Sequence, residues 1–127
     1  ARSVTLKCEL GATSVKADPD LLRRVLENLL DNALRHAPEE STVTLTAAER
    51  DGEFEIRVAD QGSGVPAAMR ERIFDPFVQV ESKDRSVTRS GRGLGLAFCR
   101  LAVEAHGGRL WVEDGAPGAV FCVRLPR

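Results

Sequence analysis

The sequence predicts one α/β domain spanning residues 1–127. Three observations carry that expectation: three stretches alternate apolar and polar residues, two longer ones space apolar residues as a helix does, and turn-forming residues stand at the joints. Residues 4–10 (VTLKCEL) have the period of a half-buried strand, and a short extended stretch, residues 14–17, follows Gly11. Asp18-Pro19 sets an N-cap residue before a proline at the first helical position, opening a helix from Pro19 to about Ala37 that Pro38 stops. Its Leu22, Val25, Leu26, Leu29 and Ala33 recur at helical spacing and would face a sheet. Residues 42–48 and 54–59 alternate around Asp51-Gly52, a hairpin signal. Residues 60–66 are turn-like and residues 67–73 form a short helix. Residues 80–92 are polar, charged and serine-rich with Val87 the one apolar side chain at their centre, which predicts a mobile loop. A second amphipathic helix covers residues 94–106 and ends at Gly107-Gly108. Residues 109–113 and 119–125 close the chain as a hairpin around residues 114–118.

Composition narrows the function classes. The chain has 127 residues, 43% hydrophobic and 29% charged, enough for a core without metals or disulfides. A formal net charge of −1 leaves no basic face for nucleic acid. No apolar run approaches the roughly 18 residues of a membrane span, so no direct membrane contact is expected. Cys8, Cys99 and Cys122 are odd in number and lack metal-site spacing, so they read as buried thiols in a reducing cytoplasm. The chain opens on Ala1 almost directly into a strand, and its one methionine is Met69, which reads as a piece of a longer protein.

Three groups of residues point to chemistry. Asn28 and Asn32 are four residues apart and share one face of the first helix, which Arg35 and His36 continue. Such a polar stripe is either a solvated surface or a ligand set. A carboxamide oxygen can ligate a Mg²⁺ held mainly by phosphates, and arginine pairs with phosphate oxygens. Asp60-Gln61-Gly62-Ser63-Gly64 follows a strand directly. Its glycines permit close approach of a ligand, and a strand-end aspartate can accept from an exocyclic amine such as that of adenine. Ser90-Gly91-Arg92-Gly93-Leu94-Gly95-Leu96 runs into a helix whose N-terminus offers backbone N–H groups to an anion. This run lacks the lysine and Ser/Thr of a P-loop and the preceding strand of a dinucleotide fingerprint.

Four elements in order carry a family resemblance: Glu27-Asn28-Leu29-Leu30-Asp31-Asn32-Ala33, Asp60-x-Gly62-x-Gly64, Phe74-Asp75-Pro76-Phe77 and Gly91-Arg92-Gly93-Leu94-Gly95-Leu96. They resemble the asparagine, first glycine, phenylalanine and second glycine boxes of bacterial sensor histidine-kinase catalytic domains, within the gyrase-like ATPase superfamily. His106-Gly107-Gly108 and the closing Gly118-x-x-Phe121-x-x-x-Leu125-Pro126 resemble the same family's last strands. The resemblance implies an α+β two-layer sandwich: a mixed, mainly antiparallel sheet of about five strands on about three helices, with a mobile lid over ATP. It implies that Asn32 is the Mg²⁺ ligand, with Asn28 beside it. Arg35 and His36 would touch phosphates, although tyrosine is frequent at the position of His36. Asp60 would read adenine, with Gly62, Gly64 and Val65 admitting the base. Phe74 and Phe77 would hinge the lid, and Arg89, Arg92, Gly93, Leu94, Gly95 and Leu96 would line the phosphates. Lys83 and Arg85 would be solvated.

One position separates kinase from hydrolase within the superfamily. Gyrase-like relatives carry a water-activating glutamate one turn before the metal-binding asparagine, where this chain has Asn28, and an amide cannot act as a general base. Glu27 points about 100° away around the helix. The resemblance therefore implies a domain that holds Mg-ATP and donates its γ-phosphoryl group, with Asn32 and Arg35 in the catalytic role. His36 and His106 both fall inside the resembling boxes, so the acceptor histidine belongs to a separate dimerisation domain, with a response-regulator receiver domain downstream. The piece itself would be monomeric and cytoplasmic, whether or not its parent is membrane-anchored. The alternatives are an anti-sigma-type serine/threonine protein kinase, disfavoured by Asn28 and the phenylalanine box, and a non-catalytic nucleotide-binding module.

Overall fold

Five strands, β1 (Thr5–Leu10), β2 (Thr42–Arg50), β3 (Glu53–Ala59), β4 (Arg109–Asp114) and β5 (Ala119–Pro126), form one sheet in the order β1-β2-β3-β5-β4. The computed structural model describes residues 3–11, 15, 17–75 and 95–126. β1 runs parallel to β2, joined to it through helix α1 (Pro19–His36), and the three other pairings are antiparallel. With α2 (Gly95–Ala105) beside α1 on one face, this is the expected two-layer sandwich with a mixed, mainly antiparallel sheet.

The chain ends its first helix where its chemistry requires. Asp18 caps α1, its Oδ1 accepting from the Asp20 and Leu21 N–H groups at 2.9 and 3.2 Å, while Pro19 supplies a residue with no N–H to satisfy. The Asp18 N–H itself donates to His106 Nε2 at 3.0 Å. That contact fixes the imidazole: Nε2 accepts, so Nδ1 carries the proton and donates to the Ala102 carbonyl at 2.8 Å. His106 thereby ties the start of α1 to the end of α2. Ala37 is buried and extended as the C-cap, and Pro38 follows it.

Between the layers, Val25, Leu29 and Ala33 of α1 meet Cys99 and Val103 of α2 over Ile56 and Val58 of β3 and Phe121 and Val123 of β5. The opposite face of the sheet has no helix over it among the described residues and is paved with charge instead. Arg124 donates from Nε to Glu55 Oε2 at 2.7 Å and from Nη1 to Glu53 at 3.3 Å. Arg57 reaches Glu113 at 3.2 Å, and the Trp111 indole N–H donates to the same carboxylate at 2.8 Å. Beneath this pavement Cys122 is fully buried on a face that alternation alone would leave open.

Two expectations are corrected. Residues 67–73 form two separate 3-10 turns, Ala67–Met69 and Arg72–Phe74, because Pro66 and Asp75-Pro76 bracket a stretch too short to bury an α-helical stripe. Cys8 is exposed, since β1 is an edge strand whose inner face extends past the helices and leaves Leu6 half-open too. Phe74, one of the two expected hinge residues, is buried, stands edge-on to Phe121 at 6.1 Å, and carries the Arg100 guanidinium 4.6 Å above its ring. The predicted loop at residues 80–92, and the extended stretch at residues 14–17 apart from Val15 and Ala17, lie outside the described residues. Among the described residues no helix is long and apolar enough to cross a membrane.

Two measurements check this packing. Burial pushes the Cys99 thiol up to about 12 and Cys122 to about 11, while Cys8 faces solvent. A thiol reagent at neutral pH is therefore expected to label Cys8 alone in the native chain and all three cysteines after denaturation, read by mass spectrometry. Prompt native labelling of Cys99 would contradict the α1–α2 contact. The indole of Trp111, and then Arg57, hold the Glu113 carboxyl below its usual range. A depressed folded-state value means that this stabilisation is present above the unfolded value, near pH 4.3, and is lost as pH falls through the folded one. Urea unfolding followed by circular dichroism should show a steeper acid loss of stability for wild type than for Trp111→Phe below about pH 4.5.

Candidate functional site

The polar face of α1 is bounded at both ends by glycines. Near its middle turn, Asn28 meets the start of α2, where a Cβ on Gly95 would stand 3.3 Å from Asn28 Oδ1. At its end, a Cβ on Gly62 would stand 2.5 Å from the His36 carbonyl oxygen. Asn28 and His36 are eight residues apart, which is about 12 Å along a helix. Asn32 lies midway and is only 7% exposed. The solvated-surface alternative for this stripe does not describe Asn32.

Asp60 closes the far end. It is 4% exposed at the end of β3, and its Oδ1 accepts from the Gly62 N–H at 2.8 Å and the Ala119 N–H at 3.3 Å. Both bonds land on Oδ1, so Oδ2 takes neither. The turn after Asp60 is pinned on its other side by Gln61, whose Oε1 accepts the Thr42 N–H at 2.8 Å. Gly62 also has a packing role. The end of α1 leaves no room for a side chain there, since a Cβ would meet the His36 carbonyl oxygen. Gly64 does need its special backbone, at φ +79°, and Val65 beside it is half-buried against the core.

The remaining expected residues are placed as follows. Arg35 is half-buried with Nε 3.5 Å from Asp31, and His36 is the last residue of α1. Gly95 and Leu96 open α2, presenting a helix N-terminus toward Asn28. Asn28 also contacts the thiol of Cys99, which donates to the Val25 carbonyl at 3.6 Å. Arg89, Arg92, Gly93, Leu94 and Phe77 lie outside the described residues. Among the described residues no three His, Cys, Asp or Glu side chains converge as a metal cage.

Sequence reasoning missed several supports. Gly118 sits against Asp60 across the hairpin, and nothing in a Gly-Ala-Pro-Gly turn announces a tertiary contact. Arg100 of α2 donates to Glu71 at 3.0 Å and covers Phe74, joining the 3-10 turn to α2. An arginine at one helix position carries no signal of that partner.

Comparison with known proteins places this arrangement. Residues 17–127 match the family described as histidine kinase-, DNA gyrase B-, and HSP90-like ATPase. The sensor protein PfeS of Pseudomonas aeruginosa is 44% identical over 123 residues, covering 95% of this chain and 26% of PfeS. The alginate biosynthesis sensor protein KinB of the same species is 41% identical over 129 residues, covering 99% of this chain and 21% of KinB. Among solved structures, the mycobacterial sensor histidine kinase MprB aligns with a TM-score of 0.85 at 29% identity, over 97% of this chain and 81% of that one. Full-length ShkA in complex with AMPPNP aligns with a TM-score of 0.80 at 34% identity, over 97% of this chain and 25% of that one. The chain thus spans 26% and 21% of the lengths of the two sensor proteins. It belongs to the histidine kinase-, DNA gyrase B- and HSP90-like ATPase family, as a catalytic domain of the sensor histidine kinase type.

Proposed function

We propose that this chain binds Mg-ATP between α1 and the Asp60 turn and donates the γ-phosphoryl group to a histidine on a separate dimerisation domain, from which a response-regulator receiver domain takes it. The observation that carries this reading is the burial of a polar side chain, Asn32, halfway between a turn suited to a base and a helix N-terminus suited to phosphate. Asp60 receives the exocyclic amine of adenine on Oδ2, the oxygen that neither backbone N–H occupies. The N-terminus of α2 and Arg35 lie toward the phosphates, with His36 at the end of the same face.

The donor set fits magnesium bound together with a nucleotide. Asn32 offers one neutral, hard oxygen, and no acidic cage competes with phosphate oxygens for the ion among the described residues. When bound, Mg²⁺ would neutralise phosphate charge at the transferring group. The chain's own part is positional. Asn32 and Asp60 fix the two ends of the nucleotide, and Asn28, packed against Gly95 and Cys99, supplies no base for water.

Incubating the chain with labelled ATP and a cognate dimerisation domain tests the reading: acid-labile, alkali-stable phosphate on histidine is expected. Acid-stable phosphate on serine or threonine would overturn it in favour of the anti-sigma type. Asn32→Ala is expected to lower magnesium-dependent phosphotransfer at least about 100-fold while the domain still melts cooperatively, because the side chain lies on the polar face of α1 and not in the apolar layer. Transfer at the wild-type rate in that variant would remove Asn32 from the site. A phosphate-release assay on the chain alone should give turnover far below a typical enzyme's roughly 10 per second. Brisk release that disappears with Asn32→Ala would identify a hydrolase instead.

A further inference from the structure

The loop joining β4 to β5 lies against the Asp60 turn, and we infer that this loop, through Gly118, sets the direction in which Asp60 presents its carboxylate and so determines the base selectivity of the site. The inference rests on the proposed reading that Asp60 receives the base, and it deepens that reading by assigning the selectivity to residues outside the turn.

Three independent contacts carry it. Gly118 has φ +95°, and a Cβ there would fall on the Asp60 carbonyl oxygen and stand 2.8 Å from Asp60 Oδ1. The glycine is therefore required by the aspartate as much as by the turn. Backbone bonds lock the two segments in both directions: Asp60 N–H donates to the Ala119 carbonyl at 3.0 Å, and Ala119 N–H donates back to Asp60 Oδ1 at 3.3 Å. On the other side of the turn, a Cβ on Gly64 would stand 3.0 Å from the Gly118 carbonyl oxygen, so the loop touches the turn at both of its ends.

The loop is also held from outside. Its Gly115 N–H donates to the Gly118 carbonyl at 2.8 Å, closing it on itself. Arg70, which follows the first 3-10 turn, donates to Asp114 at 2.6 Å, so the chain leaving the base-side turn is latched to the base of the hairpin. Asp60 and Gly64 thus meet the loop at Gly118, and Arg70 holds it at Asp114. Hydrogen bonds weaken steeply with angle, so a displacement of a few tenths of an ångström at Gly118 reaches the atom that distinguishes an amine from a carbonyl.

Competition binding of ATP and inosine triphosphate, which carries a carbonyl in place of the amine, provides the test. Wild type is expected to prefer ATP by at least about tenfold, because acceptor would face acceptor with inosine. Gly118→Ala, checked for a cooperative melt, is expected to reduce that preference at least about threefold while leaving affinity for inosine triphosphate nearly unchanged. Arg70→Gln removes an exposed pair that the fold does not need and is expected to reduce the preference about twofold. A wild-type preference that survives intact in folded Gly118→Ala overturns the inference alone. Should Gly118→Ala fail to fold, an unchanged preference in Arg70→Gln overturns it instead. Equal wild-type affinity for both nucleotides overturns the base reading and the inference together.

Discussion

The close approach of Gly62 to the His36 carbonyl is the constraint on which the site depends. It brings the end of β3 up against the end of α1 with no side chain between them. The Asp60 carboxylate and the asparagine face of the helix are thereby held in one frame, although they come from different layers of the sandwich. A methyl group at Gly62 would have to displace either a helix terminus or a central strand. Both are anchored in the core, α1 through Leu29 and Ala33 and β3 through Ile56 and Val58. The spacing between the two halves of the site is thus set by the packing of the apolar layer and transmitted by backbone.

The second helix completes that frame. α2 is tied to α1 at its start by Gly95 against Asn28, in its middle by Cys99 against Val25, and past its end by His106 on the Asp18 N–H. Three contacts along about three turns leave the two helices little freedom to slide. The histidine that closes the set has both ring nitrogens engaged, which gives it a structural place in the domain.

Much of this was legible in the sequence, and the reasons are physical. The caps of α1 were readable because Asp18-Pro19 and Pro38 act on their immediate neighbours, and the β2–β3 hairpin because Asp51-Gly52 supplies consecutive residues with positive φ, 54° and 79°. The asparagine face followed from helical periodicity alone. What was not legible depended on partners distant in sequence. Whether the Cys8 face is covered depends on how far the helices reach over the sheet edge. Whether Gly118 serves a turn or an aspartate depends on a strand half the chain away. The split of residues 67–73 into two turns depends on how much chain must bury Ile73 and Phe74, which periodicity over so short a run does not report.

The two faces of the sheet are held by different forces, and solvent addresses them separately. The helix side is sealed by apolar contact, which added salt strengthens or leaves alone. The outer side is sealed by the carboxylates and guanidiniums around Arg124, Glu55 and Arg57 over Cys122. Exposed members of such a network weaken as ionic strength rises, whereas the Glu55–Arg124 contact, largely shielded from water, is screened much less. The sheet therefore has a hard centre and a soft margin toward electrolyte: the Glu53, Arg109 and Asp51 rim loosens first, and the line of β3 and β5 that ends at Asp60 is the last to feel it.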